Sequence, residues 1–126
     1  MKKICFTLLG LFSLFAFAFG GKLDKSTLIG TPATKAKIIA TWLHGRIYVV
    51  NDPKDADFCV RVVNKDWETY LNVYVVHEYR DSFSPGKWQF VTERSLSEYC
   101  ICFVNDPDET DIPIRFVNDE GEAGPY

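Results

Sequence analysis

"FVNDPDETDIPIRFVNDEGEAG", Phe103 to Gly124, contains one tetrapeptide twice, thirteen residues apart. Working outward from it, the same interval recurs. Cutting at each apolar-x-apolar-Val tetrad gives IYVVNDPKDADFC, VRVVNKDWETYLN, VYVVHEYRDSFSPGK, WQFVTERSLSEYC, ICFVNDPDETDIP and IRFVNDEGEAGPY. Five units have thirteen residues, and the third, starting at Val73, carries two extra around Pro85-Gly86. A fixed internal period marks a repeat architecture.

The columns carry physical content. The fourth position is always Val: Val50, Val63, Val76, Val91, Val104 and Val117. The third is Val in the first three units and Phe in the last three, and the tenth is always small. Ala56, Phe58, Val60 and Val62 share one face of an alternating run, as do Thr110, Ile112, Ile114 and Phe116. Period-two alternation of β-branched and aromatic residues predicts strands. The invariant Val lies on the opposite face, which predicts strands covered on both sides. The small tenth residue predicts a segment passing close by. Stretches such as NDPKD, NKDWE and NDPDE read as turns through Asx bonds and proline's preset φ. The unit is thus read as eight residues of strand and five of turn.

Upstream, MKKICFTLLGLFSLFAFAFG has a basic start, an apolar run and small residues near its end. That is the pattern of a secretory signal peptide, and the run is short for a membrane span. The chain is therefore divided into a signal peptide (1–20), a linker or irregular arm (21–35) and an all-β repeat domain (36–126). Within the last, Ala36 to Leu43 is read as a seventh, degenerate strand, with a short helix as the alternative. No capping signal for a long helix is recognised. Spacing alone suggests an antiparallel meander or small barrel, since short turns suit hairpins. A 13-residue β-solenoid is a further alternative.

From Arg46 to Tyr126 the chain resembles the septoil-knot family of small bacterial domains. The resemblance rests on the cadence of IYVVNDPKDADFCVRVV and on the ending NDEGEAG. It implies an all-β fold whose backbone forms a seven-crossing torus knot, with no catalytic residues and no cofactor. ADF at the first turn becomes TYL, SEY and TDI later.

Without Lys2 and Lys3 the chain has 12 basic and 17 acidic residues, a net charge of −5. Nucleic acid and anionic membranes are poor partners for that potential. Cys5 leaves with the signal, so Cys59, Cys100 and Cys102 remain; Cys59 could bridge one of the others, or all three could pack as small apolar residues. The carboxylates of Asn51–Asp57 and Asn105–Asp111 could hold Ca²⁺, but their spacing is not an EF-hand loop and solvated Asx-turns account for them. His44 and His77 lie in no zinc-like spacing. A pairing of His77 with a cysteine as a catalytic dyad finds no support beyond the residue types. No catalytic, cofactor or metal-binding residues are assigned. Trp67 and Tyr79 fall in turns, where aromatics are unusual, and form the candidate contact surface for a glycan or protein. The expected function is that of an exported, non-catalytic binding or structural module. A carboxylate-based hydrolase and a Ca²⁺-stabilised adhesion-like module are the alternatives.

Overall fold

A computed structural model describes residues 22–126; the signal peptide read from residues 1–20 lies outside the described residues. Six strands recur at the repeat interval: β1 (Gly45–Val49), β2 (Phe58–Val62), β3 (Leu71–Val75), β4 (Lys87–Phe90), β5 (Tyr99–Phe103) and β6 (Ile112–Phe116). They form a closed ring in the order β4-β1-β5-β2-β6-β3, with β3 pairing back onto β4. Every pairing in the ring is parallel. A short β7 (Gly124–Pro125) adds antiparallel to β3.

The antiparallel meander and the solenoid are thereby overturned. Parallel neighbours ordinarily need a crossover of a dozen or more residues, because the chain must return to the starting end. Here the stagger of the strands removes that need. Val49, the end of β1, and Phe58, the start of β2, both pair with Ile101 on the intervening β5. Likewise Val62 and Leu71 both pair with Ile114 on β6. Except between β3 and β4, each connection in the ring therefore only steps over one strand, about 10 Å at two inter-strand spacings. The unit is five residues of strand and eight of connection in most repeats, the reverse of the division read from turn chemistry.

The order also explains the longer third unit. β1, β2 and β3 occupy alternate places, so another equal step would return the chain onto β1. Instead β4 takes the place directly beside β3, and β5 and β6 then fill the remaining gaps. The chain winds in two interleaved circuits, and the third unit supplies the offset. Gly86, in the two-residue insertion, has φ 83° and lies so close to Asn72 and Gly124 that a Cβ would strike their backbone atoms.

Interleaving turns the blocks of the third column into an alternating ring. Around the barrel, these residues run Phe90, Val49, Phe103, Val62, Phe116, Val75. They follow the first-position layer of Ile47, Val60, Val73, Trp88, Ile101 and Ile114, all fully buried. Phe90 and Phe116 meet Trp88 edge-on, with ring centroids 6.0 and 6.3 Å apart. The ring is the last core layer at the mouth where the strands end. Five of its members are 38–47% exposed, although Val62 shares the inward phase of Val60. Alternating large and small side chains fill such a layer without voids.

The all-β reading is also corrected. Residues Pro32–Trp42 form a helix, α1, where Ala36 to Leu43 was expected to be a strand. Thr31 caps it by accepting from the Thr34 N–H, and Pro32 occupies the first turn, a combination that marks a helix start. Ala36, Ile39, Ala40 and Leu43 are buried at i, i+3, i+4 and i+7. They join Leu23 in the main core, so the helix and the arm before it close the mouth where the strands begin. The Trp88 indole N–H donates to the Leu43 carbonyl at 3.0 Å, tying the helix end to the barrel. Seven three-residue 3-10 turns, one in the arm and one after each of the first six strands, complete the non-strand structure.

Candidate functional site

The repeats use a common set of polar bonds, and the candidate site lies where that set is broken. In the eleventh column, Asp57 Oδ2 accepts from the Cys100 N–H at 2.8 Å and Asp111 Oδ2 from the Cys59 N–H at 2.7 Å. Glu98 Oε1 accepts from the Arg46 N–H at 2.9 Å. Each carboxylate thus staples a connection to the strand it crosses. Lys22 and Lys25 of the N-terminal arm pair with Asp57 and Asp111. The sixth column supplies Asp52, Asp106 and Asp119, which cap their own 3-10 turns. Hydroxyls of the tenth column return to turn carbonyls, as Ser82 Oγ does to Tyr79 O and Ser97 Oγ to Arg94 O. Of the acids in the two loops considered for Ca²⁺, Asp52, Asp57, Asp106 and Asp111 are thus engaged with backbone N–H groups. Among the described residues, no group of three His, Cys, Asp or Glu side chains is placed to hold a metal ion.

The second unit departs from this scheme. Its connection crosses β6, where the thirteenth-column residue is Pro113, the register partner of Arg61. Proline has no N–H to staple, and the eleventh-column residue is Tyr70 rather than an acid. Of the bonds that tie a connection to the strand it crosses, Tyr70 keeps the backbone one, donating its N–H to the Pro113 carbonyl. Beside it opens a cleft of about 450 Å³, bounded by Arg61, Trp67, Tyr70, Pro107, Pro113 and the helix start at Pro32. Trp67 stands in the 3-10 turn Asp66–Glu68, at a column filled elsewhere by Lys54, Arg80, Ser95, Asp108 and Gly121. It is 73% exposed, with the Lys65 ammonium 5.3 Å from its ring centroid. Arg61 is half-buried, its Nε is sealed from solvent without a partner, and no ion pair or hydrogen bond engages its guanidinium among the described residues.

Tyr79, the other aromatic expected at a contact surface, is held by its own surroundings. Its ring packs edge-on against Phe83 at 4.8 Å, the Arg46 guanidinium lies 3.8 Å from its centroid, and its hydroxyl donates to Glu98 at 3.1 Å. Trp67 and Tyr79 are not brought together in one site. His44 Nδ1 meets the Ser82 carbonyl at 2.9 Å, and His77 is exposed.

The six column-four valines lie on the outer face of the barrel. Val50, Val63, Val76 and Val117 are buried, while Val91 and Val104 are half-buried. Val50 shares a small outer core with Cys59, Cys100 and Cys102. All three cysteines are free and buried. Cys59 and Cys102 are register partners on β2 and β5, and burial pushes both thiols above the ordinary range. A buried, protonated thiol is a poor nucleophile, so these side chains serve packing.

Arg61, Tyr70 and Pro113 were not singled out as site residues from the sequence. The available signal lay in the columns: the eleventh holds an acid in three units (Asp57, Glu98, Asp111) but Tyr70, Phe83 and Gly124 in the others, and Pro113 in the thirteenth has no N–H. No curated protein and no solved structure matches the chain. The model of the 7(1) septoil knot domain matches residues 44–125, from the end of the helix cap to β7. The chain belongs to the 7(1) septoil knot domain family.

Proposed function

We propose that this domain is an exported, non-catalytic binding module that takes its ligand in the cleft beside Trp67. The observation that carries the reading is the exposure of Trp67 at a column where the repeat needs no aromatic, beside the connection that has Tyr70 in place of a stapling acid. Exposed tryptophan costs solubility and contributes nothing to the core here, whereas it supplies a large, rigid contact face at low entropic cost. The cleft volume falls in the range of small-ligand sites. Export rests on the basic and apolar N-terminal pattern and suits a ligand met outside the cytoplasm.

The test is binding of short glycans and peptides to the chain from Gly21, followed by calorimetry and by the fluorescence of Trp67. Trp67→Ala is expected to abolish binding while leaving the melting temperature within about 2 °C, as for a surface substitution. Binding that survives Trp67→Ala would refute the reading.

A further inference from the structure

We infer that the cleft takes a carboxylate-bearing saccharide, with the sugar ring stacked on Trp67 and its carboxylate held by Arg61. The inference rests on the Trp67 cleft being a binding site. It adds the ligand class from the charge left uncompensated around that cleft.

The chain is acidic as a whole, yet this groove is not. A second hollow of about 250 Å³ adjoins the cleft and shares Pro32, Thr110 and Asp111 with it. Together the two are lined by Arg61, Lys25 and Lys35 against Glu68 and Asp111. Asp111 is already committed: its carboxylate pairs with Lys25 at 2.7 Å and accepts from the Cys59 N–H. What remains is Arg61 and Lys35, both half-buried and unpaired, against the single carboxylate of Glu68. The groove therefore holds a local cationic excess within a molecule of opposite sign.

Arg61 is the more informative of the two. A half-buried guanidinium with no partner has lost part of its hydration without compensation. Its planar donor fork matches a carboxylate in two parallel bonds, which a lone hydroxyl cannot satisfy. Trp67 asks for a different surface, a flat apolar face that can stack on its exposed ring. A pyranose carrying a carboxylate presents both on one small body. A neutral sugar would leave Arg61 uncompensated, and an acidic peptide would offer the carboxylate on a flexible stem with no ring for Trp67. Pro107 and Pro113, whose rings fix φ, line the walls together with Tyr70.

The experiment is calorimetric titration of the chain from Gly21 with three probes: an α-1,4-linked galacturonic acid pentamer, neutral maltopentaose and a glutamate pentapeptide. The galacturonate is expected to bind, at least about 10-fold more tightly than maltopentaose, as for one charged hydrogen-bonded pair. That affinity should weaken as salt rises from 50 to 300 mM, because the pair is only partly shielded from solvent. Arg61→Gln should lower it about 10-fold or more and bring it to the level of the neutral sugar, with Arg61→Lys recovering part of the loss. Circular dichroism and the melt of each variant separate lost binding from lost folding. Equal binding of the neutral sugar, or indifference to Arg61→Gln, would overturn the ligand class while leaving the cleft intact as a site. Preferential capture of the glutamate peptide would overturn it in favour of acidic proteins. Galacturonate binding that persists in Trp67→Ala would overturn the site itself, and no binding of any probe would overturn the ligand class.

Discussion

Gly86→Ala isolates the device that lets the second circuit miss the first. Gly86 sits between β3 and β4, the one connection that advances a single place around the ring. Its φ of 83° is a conformation that costs an L-residue about 1–2 kcal/mol. A Cβ would also lie 2.6 Å from the Gly124 amide nitrogen and closer still to the Asn72 carbonyl oxygen. Both are backbone atoms, so relief requires β3 and β7 to shift, at about 1–3 kcal/mol for a backbone displacement in a packed interior. Alanine narrows the unfolded ensemble and returns up to about 1 kcal/mol. The net loss is about 1–5 kcal/mol, at its centre a large part of the 5–15 kcal/mol typical of a domain.

Urea unfolding at 25 °C measures it, with an unchanged slope expected and the midpoint lowered by about 1–3 M. Gly121→Ala is the internal control. Gly121 has no positive φ, and its Cβ would meet only the Asp119 carboxylate at 3.5 Å. That variant should stay within about 1 kcal/mol of the parent, on the stabilising side. If Gly86→Ala behaved like Gly121→Ala, the connection would not be constrained as described and the reasoning about the offset would fail.

Two further outcomes follow from the repeat chemistry. Asp106→Ala removes the side-chain cap of its 3-10 turn and should cost about 1 kcal/mol in chemical denaturation; a chelator should leave the melting temperature unchanged, and a chelator-induced drop would return these acids to cation binding. Cys59 and Cys102 have thiols raised by burial, so their contribution to stability is complete below the unfolded thiol pKa, about 8.5, and is lost as pH rises through the raised folded values. Unfolding free energy should therefore fall above about pH 9, less steeply in the Cys59→Ala, Cys102→Ala double variant. Ellman's reagent should reach these thiols only on unfolding, and rapid reaction at pH 8 with the folded chain would refute their burial.

Much of the local structure was legible in the residues, and the global path was not. The thirteen-residue columns locate the six strands of the ring, though not their lengths or β7, because alternation and Asx chemistry act within a few residues of one another. They also mark Trp67 as out of place. Helix α1 was misread because IIATWL is β-branched and aromatic, and that local propensity hid a core stripe of Ala36, Ile39, Ala40 and Leu43 behind the Thr31-Pro32 cap. Parallel against antiparallel pairing is invisible in alternation, since either arrangement presents the same faces. Only the stagger that brings Val49 and Phe58 to the level of Ile101 makes short parallel connections possible.

The site shows the same division. Arg61 and Pro113 are 52 residues apart, and nothing in either column announces that they are neighbours until the second circuit lays β6 beside β2. The missing staple at Tyr70 acquires meaning only once the strand beneath it is known to carry Pro113, a residue lacking an N–H, at the crossing. What the amino-acid sequence determined by itself was the repeating unit, its polarity pattern and its one anomalous tryptophan, all consequences of short-range stereochemistry. What the tertiary structure decided was the interleaving, the alternating Phe and Val ring, and the cleft, because these depend on which distant repeats share an edge.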